Sequence, residues 1–406
     1  MTPETADDNP RGPMSGVRVL DISNIIAGPF ASCLLADFGA DVVKVEMPER
    51  GDALRLMPPH KDGVSLWWKV TNRNKRSITI DLRKPEGQEL VRRLIVHFDV
   101  LIESFRPGVL ERWGLGWDTL HKLRPQLTML RITGYGQTGP YAGRAGFARM
   151  AEAFAGLANI TGTPETAPQH AGYPIADALT GVFGAMAVGF ALAERERTAG
   201  DGQCIDLSLY EAVLRILEYL VIEYDQLRAV RQRGGNLSQY VAPANVYQTS
   251  DDRWVSIATS TPTIYERFMG AIGKPDLVHN PETSTPELRL HQRDRLDRVV
   301  AEWVAARTFA EVDAALAPAD VAYARVNSVR DIFEDPHIAA RQNIVAVSDA
   351  ELGSVRMQGV TPRFSRTPGQ VRWAGPGLGA HTGEVLKELL SLSDSEIDAL
   401  RASNII

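Results

Sequence analysis

The stretch VRVLDISNIIAGPFASCLLADFGADVVKVE, residues 17–46, decides the fold that the sequence predicts. Two runs rich in β-branched residues, at 17–22 and 41–46, have the composition of buried strands. Between them, a turn at Ala27-Gly28-Pro29 precedes an apolar segment that predicts a helix from Phe30 to Phe38. A strand–helix–strand unit joins parallel strands through a right-handed crossover. The stretch therefore predicts a parallel sheet covered by helices.

The same alternation recurs further along the chain. The pattern predicts helices from Pro85 to Phe98 and over 210–230, and strands at 78–81, 100–103, 127–132 and 205–207. This order of elements is typical of a doubly wound α/β domain, in which ligands bind at the carboxyl ends of the strands.

The composition changes at the polar break Arg231–Asn236. The two runs at 245–249 and 254–258 predict a hairpin. Helical patterns follow over 263–272, 286–306 and 309–316. We therefore expect a smaller α+β domain over residues 231–330. The first fifteen residues are polar, acidic and rich in proline, and they predict a disordered tail over 1–15.

The bulk properties restrict the class of protein. The chain has 406 residues, 44% of them apolar and 23% charged, with a net charge of −6. Mixed signs of charge argue against nucleic-acid or membrane binding. The start lacks a signal-peptide pattern, and the apolar run 181–193 is too short to span a bilayer, so we expect a cytoplasmic protein. Cys33 and Cys204 lie in apolar stretches and are predicted to be buried thiols. The histidines show no metal-ligand spacing.

Asp177 is the most informative single residue. It lies among small and apolar residues in the segment GYPIADALTG, residues 172–181. A poorly solvated carboxylate must be paired, neutralised or used. One interpretation is a helix N-cap. The other is a nucleophile, which a helix N-terminus would help to keep ionised.

Three further segments have the composition of ligand-binding loops. The run Asn72–Ser77 is basic and precedes a strand, so it is either a solvated loop or a phosphate contact. The segment Ser104–Gly108 follows a strand end, where Arg106 and Arg112 could hold a phosphate, although a surface salt bridge is an alternative for Arg112. The loop Thr133–Pro140 contains three glycines and presents Tyr135. The turn at 27–29 lacks the three-glycine fingerprint of a dinucleotide site.

In this order and spacing, the segments resemble the family III coenzyme A transferases, which include formyl-CoA transferase. The matching segments are VLD (19–21), AGP (27–29), GADVVKVE (39–46), NRNKRS (72–77), RPG (106–108), GYGQTGP (134–140), Asp177 with Thr180-Gly181, Gly202-Gln203 through Asp206, Asp335-Pro336 with Arg341, and LGAHT (378–382).

The resemblance implies a fold and an assembly. It implies a Rossmann-like, CoA-binding large domain built from residues 16–230 and 331–406, the smaller domain between them, and an interlocked homodimer. It also implies that Asp177 attacks an acyl-CoA thioester and that a free carboxylic acid accepts CoA, with no permanently bound cofactor and no metal. The residues that the resemblance assigns to CoA binding are Ile25, Ala27, Arg76, Phe105, Arg106, Arg112 and Tyr135.

Departures from the family pattern bear on the substrate. Ile26 and Thr133 stand where formyl-CoA transferase has a glutamine and a lysine, which argues against oxalate as the acceptor. Met47 stands where that enzyme has an arginine that helps to hold the nucleotide. Arg144 and Arg325 suggest a dicarboxylic acceptor of four to six carbons with succinyl-CoA as donor, or else internal salt bridges. Gly234-Gly235 would begin a mobile loop.

Two other functions remain as alternatives. A 2-methylacyl-CoA racemase would keep the aspartate, but the stretch Gly146-Phe147-Ala148 lacks its histidine base. A non-catalytic CoA-binding protein is the other alternative, against which Asp177 and the Tyr135 loop argue.

Overall fold

A computed structural model of the chain describes residues 12–406. Residues 1–11 of the predicted tail lie outside the described part. Residues 12–15 form a turn in which the N–H of Met14 donates to the carbonyl of Phe38 at 3.0 Å. The predicted disorder therefore does not extend to these four residues, because they pair with the end of the first helix.

A six-stranded parallel sheet organises the larger part of the chain, as the sequence predicts. Numbered along the chain, the strands lie in the order β3-β2-β1-β4-β5-β6, the Rossmann order. Their bounds are Arg18–Asp21 (β1), Asp41–Glu46 (β2), Lys75–Thr79 (β3), Val100–Glu103 (β4), Thr128–Thr133 (β5) and Cys204–Ser208 (β6).

Helices cover both faces of this sheet, each over its own apolar cluster. One cluster joins Leu90 and Leu94 to Val385 and Ile397 near the C-terminal end of the chain. The other joins α1, α6, α8 and α9 to the opposite face. The helices are α1 Ala27–Asp37, α2 Leu66–Thr71, α3 Pro85–Ile95, α4 Val109–Arg112, α5 Trp117–Leu123, α6 Ala148–Phe154, α7 Leu157–Ile160, α8 Ile175–Thr198, α9 Leu209–Ile216 and α10 Glu218–Leu227.

Contacts divide the chain into two compact units. The larger contains the described residues up to Leu157, then His170–Ala229 and Ala339–Ile406; the smaller contains Ala158–Gln169 and Val230–Ile338. The segment 158–169 thus falls in the smaller unit, whereas the sequence suggested the larger one. Backbone pairing explains this, since the N–H of Gly235 donates to the carbonyl of Gly162 at 2.8 Å.

The smaller unit has its own antiparallel sheet and apolar core. The predicted hairpin is confirmed as β7 and β8, and a third strand, β9, pairs with β8. The bounds are Ala244–Gln248 (β7), Trp254–Ala258 (β8), Tyr323–Arg325 (β9), and for the helices Pro262–Ala271 (α11), Asp276–His279 (α12), Pro286–His291 (α13), Arg293–Ala305 (α14), Phe309–Leu316 (α15), Val329–Glu334 (α16) and Pro336–Ala340 (α17).

The C-terminal part of the larger unit contains two strands and two helices. Ser393 and Glu396 form a capping box at the start of the last helix. The elements are Ile344–Asp349 (β10), Gly353–Gln358 (β11), Thr382–Leu390 (α18) and Asp394–Ala402 (α19).

Some local predictions are wrong. The helix predicted over 210–230 is broken at Leu217, and the one predicted over 286–306 is broken at Gln292. Cys204 is exposed rather than buried, because β6 is an edge strand of the sheet, whereas Cys33 is buried as predicted. Helix α8 is long and apolar enough to cross a membrane by length and composition alone, a test that core helices of soluble proteins also pass.

Candidate active site

The carboxyl ends of β1 and β4 mark the point where the strand order reverses. From β1 the chain builds the sheet in one direction, and β4 begins the other half. The loops that follow these two strands meet, since the N–H of Asn24 donates to Oγ of Ser104 at 2.9 Å. Open α/β sheets bind ligands at such a switch point. The predicted CoA residues Ile25 and Phe105 lie on these two loops, and Ala27 begins α1 directly after the first of them.

The turn after β1 is held in an uncommon conformation. Ile25 has a φ of 71°, which is sterically costly for a β-branched residue. Its N–H donates to both carboxylate oxygens of Asp52, at 3.0 and 3.2 Å. Asp52 is buried and pairs with Lys44 at 3.2 Å. A buried ion pair thus fixes the backbone that leads into α1.

A second buried charge lies directly beneath this turn. Asp21 is fully buried, 3.1 Å from Nζ of Lys75 and 3.7 Å from Nζ of Lys44. Burial alone would raise its pKa, but the two lysines, together with the hydroxyls of Ser23 and Ser32, lower it to about 2. Asp21 is therefore ionised and supports the turn rather than taking part in chemistry.

The basic run Asn72–Ser77 is engaged by internal carboxylates. Arg73 binds Asp37 through two nitrogens, at 2.9 and 2.6 Å. Arg76 lies 2.6 Å from Asp41 and also pairs with Glu384 and Glu388. The run was predicted to precede its strand, but β3 begins at Lys75, so Arg76 lies at the amino end of the strand. The other predicted CoA residues follow the carboxyl ends, and the structure does not bring Arg76 together with them.

The segment after β4 presents two arginines without a carboxylate partner. Arg106 and Arg112 are both exposed, and within residues 12–406 neither forms an ion pair. The surface salt bridge considered for Arg112 is therefore not present. Phe105 packs edge-on against Trp113, with ring centres 5.1 Å apart. Its N–H donates to Glu103 at 2.7 Å, which fixes the start of the loop.

The loop after β5 is shaped as the glycine pattern predicts. Gly136 adopts a φ of 89°, and its N–H donates to Oγ1 of Thr133 at 2.8 Å. The N–H of Gln137 donates to the carboxylate of Asp206 on β6, at 3.0 and 3.1 Å. Tyr135 is half-buried within an aromatic cluster. The cluster consists of Tyr135, Tyr141, Phe154 and Tyr210, with ring centres 5.0–6.2 Å apart.

Asp177 lies in the first turn of α8, two residues after the helix begins at Ile175. The N-cap interpretation is therefore wrong, because Pro174 occupies that position. Gly181, one turn later, lets α8 approach α1 closely. A Cβ at Gly181 would lie 2.7 Å from Cδ1 of Phe30 and 3.1 Å from the carbonyl oxygen of Ala27. This close packing brings Asp177 to the side of the turn that carries Ile25 and Ala27.

The electrostatic environment of Asp177 disfavours its charge. Its carboxyl is half-buried and has no hydrogen bond or ion pair among the described residues. Burial, and then the negative charge of Glu152, raise its pKa from 3.8 to about 7. That rise corresponds to roughly 4 kcal/mol. A helix N-terminus stabilises an anion by only about 0.3–1 kcal/mol, so burial and repulsion dominate.

Comparisons with known proteins place this geometry in a family. The family model described as CoA-transferase family III matches residues 14–382. The chain is 43% identical to a succinyl-CoA–D-citramalate CoA-transferase of Chloroflexus aurantiacus, over 99% of this chain and 100% of that protein. It is 44% identical to a succinyl-CoA–L-malate CoA-transferase beta subunit of the same organism, over 97% and 98%.

The chain belongs to CoA-transferase family III. A crystal structure of a CaiB/BaiF family protein from Brucella suis has the same fold, with a TM-score of 0.82 at 33% identity, over 93% of this chain and 100% of that one. The protein is therefore a CoA-transferase with CoA thioesters as substrates, as the resemblance implies.

Sequence analysis of this CoA-transferase missed Glu152, whose charge acts on Asp177, and His170, which lies against Glu152. Glu152 on α6 is buried and accepts the N–H of Ala171 at 3.0 Å. His170 lies with Nδ1 3.3 Å from the same carboxylate, so a histidine does approach the site. Glu152 could have been noticed as a carboxylate in the apolar run 150–155. His170 gave no such signal, because only the fold places it against α6.

Two sequence candidates of the CoA-transferase lie in its smaller unit. Arg325 forms a 3.0 Å ion pair with Asp331 and donates to Asn327 at 2.8 Å, so the internal salt bridge is the interpretation that applies. Gly235 is tied to Gly162 through its backbone, and its role as a mobile loop stays a prediction. Within residues 12–406, no group of three His, Cys, Asp or Glu side chains is arranged to hold a metal.

Proposed function

We propose that this CoA-transferase moves CoA from succinyl-CoA to a dicarboxylic acid of four to six carbons through covalent intermediates on Asp177. The environment of Asp177 carries the proposal, because it is a desolvated carboxylate without a hydrogen-bond partner among the described residues. Such a carboxylate retains its nucleophilicity, since neither solvent nor a cation stabilises its charge.

The reaction requires four acyl transfers and no net proton transfer. The Asp177 carboxylate attacks the thioester carbonyl, the C–S bond breaks, and a mixed anhydride and CoA thiolate form. The thiolate attacks the aspartyl carbonyl, which releases succinate and leaves an aspartyl-CoA thioester. The acceptor carboxylate then attacks this thioester, giving a second anhydride and the thiolate again. Attack of the thiolate on the acceptor carbonyl forms the new acyl-CoA and regenerates Asp177.

The start of α8 can stabilise the oxyanions of these steps. Helix N-termini present N–H groups without intrahelical partners. No side chain caps the N-terminus of α8, and Pro174 precedes its first turn. The free N–H groups beside Asp177 are suited to the developing negative charge on a tetrahedral intermediate.

The switch-point loops are proposed to hold CoA. Ile25 and Ala27 form one side of this site and Phe105 the other, and the aromatic cluster supplies Tyr135. Arg106 and Arg112 are the basic residues that remain available for phosphates. Arg76 is left out of this proposal because three carboxylates engage it.

Arg144 is proposed to bind the second carboxylate of the acceptor. It is exposed, has no ion pair among the described residues, and stacks over the ring of Tyr141 at 3.7 Å. Tyr141 belongs to the cluster around Tyr135. A planar guanidinium fixed in this way can bind a carboxylate through two hydrogen bonds. Arg325 serves as the matched control, because its charge is already satisfied by Asp331.

One experiment tests donor, acceptor and nucleophile together. Purified enzyme is incubated with succinyl-CoA or acetyl-CoA and a panel of mono- and dicarboxylic acids, and CoA esters are separated by chromatography.

Asp177→Ala should abolish transfer, and hydroxylamine trapping followed by peptide mass analysis should label Asp177. Arg144→Gln should raise KM for dicarboxylic acceptors, whereas Arg325→Gln should not. Transfer only to monocarboxylic acids would refute the acceptor assignment. Epimerisation of a 2-methylacyl-CoA without transfer would favour a racemase.

We also propose that the enzyme is a homodimer in the cytoplasm. Helix α10 is apolar, but none of its residues is buried in the single chain. Val221, Ile222 and Leu227 are each more than half exposed. Contiguous exposed apolar surface of this kind marks an interaction site. Sedimentation should give twice the chain mass of 44.5 kDa. Ile222→Glu should weaken the dimer, and a fully active monomer would contradict the proposal.

A further inference from the structure

Glu152 is a buried carboxylate for which the acyl transfers above have no direct use. Its side chain is 1% exposed. Oε2 accepts the N–H of Ala171 at 3.0 Å and lies 3.3 Å from Nδ1 of His170. Oε1 is shielded from solvent and has no hydrogen-bond partner among residues 12–406. An unpartnered buried carboxylate oxygen is costly, so a structural role alone does not account for it.

The fold places Glu152 against the nucleophile. Helix α6 packs on α8. Ala151 and Ala176, the sequence neighbours of Glu152 and Asp177, belong to the same buried apolar cluster. The bond from Glu152 to Ala171 also anchors the segment that leads into the first turn of α8. Glu152 on α6 therefore affects the position of Asp177, through its hydrogen bond to Ala171, and the charge of Asp177, through electrostatic repulsion.

Within residues 12–406, no lysine or arginine forms an ion pair with either Glu152 or Asp177. Besides burial, Glu152 is the group that raises the pKa of Asp177, and Tyr173 lies against Asp177 with its own pKa raised. His170 approaches Glu152 from the loop before α8. The remaining titratable groups on packed elements are Tyr210, Glu211 and Arg215 on α9, Cys33 and Asp37 on α1, Arg131 on β5, Cys204 and Asp206 on β6, Arg149 on α6, and Glu194 to Arg197 at the far end of α8.

We propose that Glu152 is a positioning residue whose negative charge favours acylation of Asp177. This inference rests on the proposed function. In the first step a C–O bond forms, the C–S bond breaks, and one negative charge moves from the Asp177 carboxylate to the CoA sulfur, without any proton transfer. The charge thereby leaves the neighbourhood of Glu152. Repulsion by Glu152 destabilises the free Asp177 carboxylate but not the neutral anhydride, so it lowers the barrier to acylation.

Glu152→Gln and Glu152→Asp separate charge from hydrogen bonding. The Gln variant keeps an acceptor for Ala171 but removes the charge, whereas the Asp variant keeps the charge on a shorter side chain. Glu196→Gln on the exposed end of α8 is the matched control for loss of one carboxylate. The acid limb of kcat/KM should move to lower pH by about one unit or more in Glu152→Gln. It should stay in place in Glu152→Asp and Glu196→Gln. At pH 8, kcat of Glu152→Gln should fall by about 10-fold.

A second readout does not depend on turnover. The pH dependence of unfolding is measured for the wild type, Glu152→Gln, Asp177→Asn and the double variant. The four proteins form a double-mutant cycle, and the coupling energy in it reports the electrostatic interaction between Glu152 and Asp177. An enzyme that transfers no CoA but shows this coupling would refute the proposed function only. An unchanged acid limb in Glu152→Gln together with no coupling would overturn the role of Glu152.

Discussion

Gly181→Ala should separate Asp177, the proposed nucleophile, from the turn that is proposed to bind CoA. The new Cβ would stand 2.7 Å from Cδ1 of Phe30 and 3.1 Å from the carbonyl oxygen of Ala27. Optimal carbon contacts are about 3.5–4.0 Å, so α8 must move by roughly 0.5–1 Å relative to α1. The ring of Phe30 can rotate, but the backbone oxygen of Ala27 cannot. The substitution therefore forces a shift at the two elements that form the site.

The size of the effect follows from opposing contributions. Overpacking of a core costs about 1–3 kcal/mol. Alanine is favoured over glycine in a helix by about 1 kcal/mol. The net loss in the free energy of unfolding should be about 0–2 kcal/mol, so the variant folds. A displacement of about 1 Å at a reacting group can lower the rate by about 100-fold. Gly181→Ala should therefore lose far more activity than stability.

Gly189→Ala is the matched control on the same helix. A Cβ at Gly189 meets no atom within 4 Å. This variant should gain up to about 1 kcal/mol in the free energy of unfolding and keep full activity. Urea unfolding measures stability, and kcat and KM are measured with succinyl-CoA. If Gly181→Ala is as active as Gly189→Ala, the close approach of α8 to α1 does not position Asp177, and the reasoning fails.

Three further predictions concern charge. The folded-state pKa of about 7 for Asp177 lies above its ordinary value of 3.8, so the protonated form of Asp177 stabilises the fold. This contribution to the free energy of unfolding is at most roughly 4 kcal/mol. It is present below pH 4 and is lost as the pH rises through 7. Chemical unfolding between pH 4 and 8 should show the decline in the wild type and not in Asp177→Asn, and equal slopes would contradict it. Arg106→Ala should raise KM for the CoA ester in steady-state assays. Arg76→Ala should instead lower the free energy of unfolding and leave KM unchanged. The reverse pattern would place the phosphates of the CoA ester at the amino end of β3. Lys75→Met removes a partner of the fully buried Asp21 and should cost about 3 kcal/mol in urea unfolding; a loss below about 1 kcal/mol would mean that Lys44 suffices.

The parallel sheet could be predicted because its signals are local. Each strand is a short β-branched run, and the helix between two strands fixes their parallel direction. The strand predicted at 100–103 has the same bounds in the structure. Helix breaks were missed at Leu217 and Gln292, because neither position carries glycine or proline. Such breaks depend on packing against other elements rather than on the local sequence.

By itself the sequence determined the order of the elements, the family, and Asp177 as the candidate nucleophile, since these depend on residue types and their spacing. Only the tertiary structure decided which arginines are available to bind a phosphate. Arg76 and Arg106 both look like phosphate ligands in the sequence, but one is engaged by carboxylates distant in the chain and the other is not. The structure likewise placed the charge of Glu152 near Asp177, and His170 against Glu152. The free energy of a charge depends on what surrounds it in three dimensions, and those neighbours come from segments that the sequence does not show to be close.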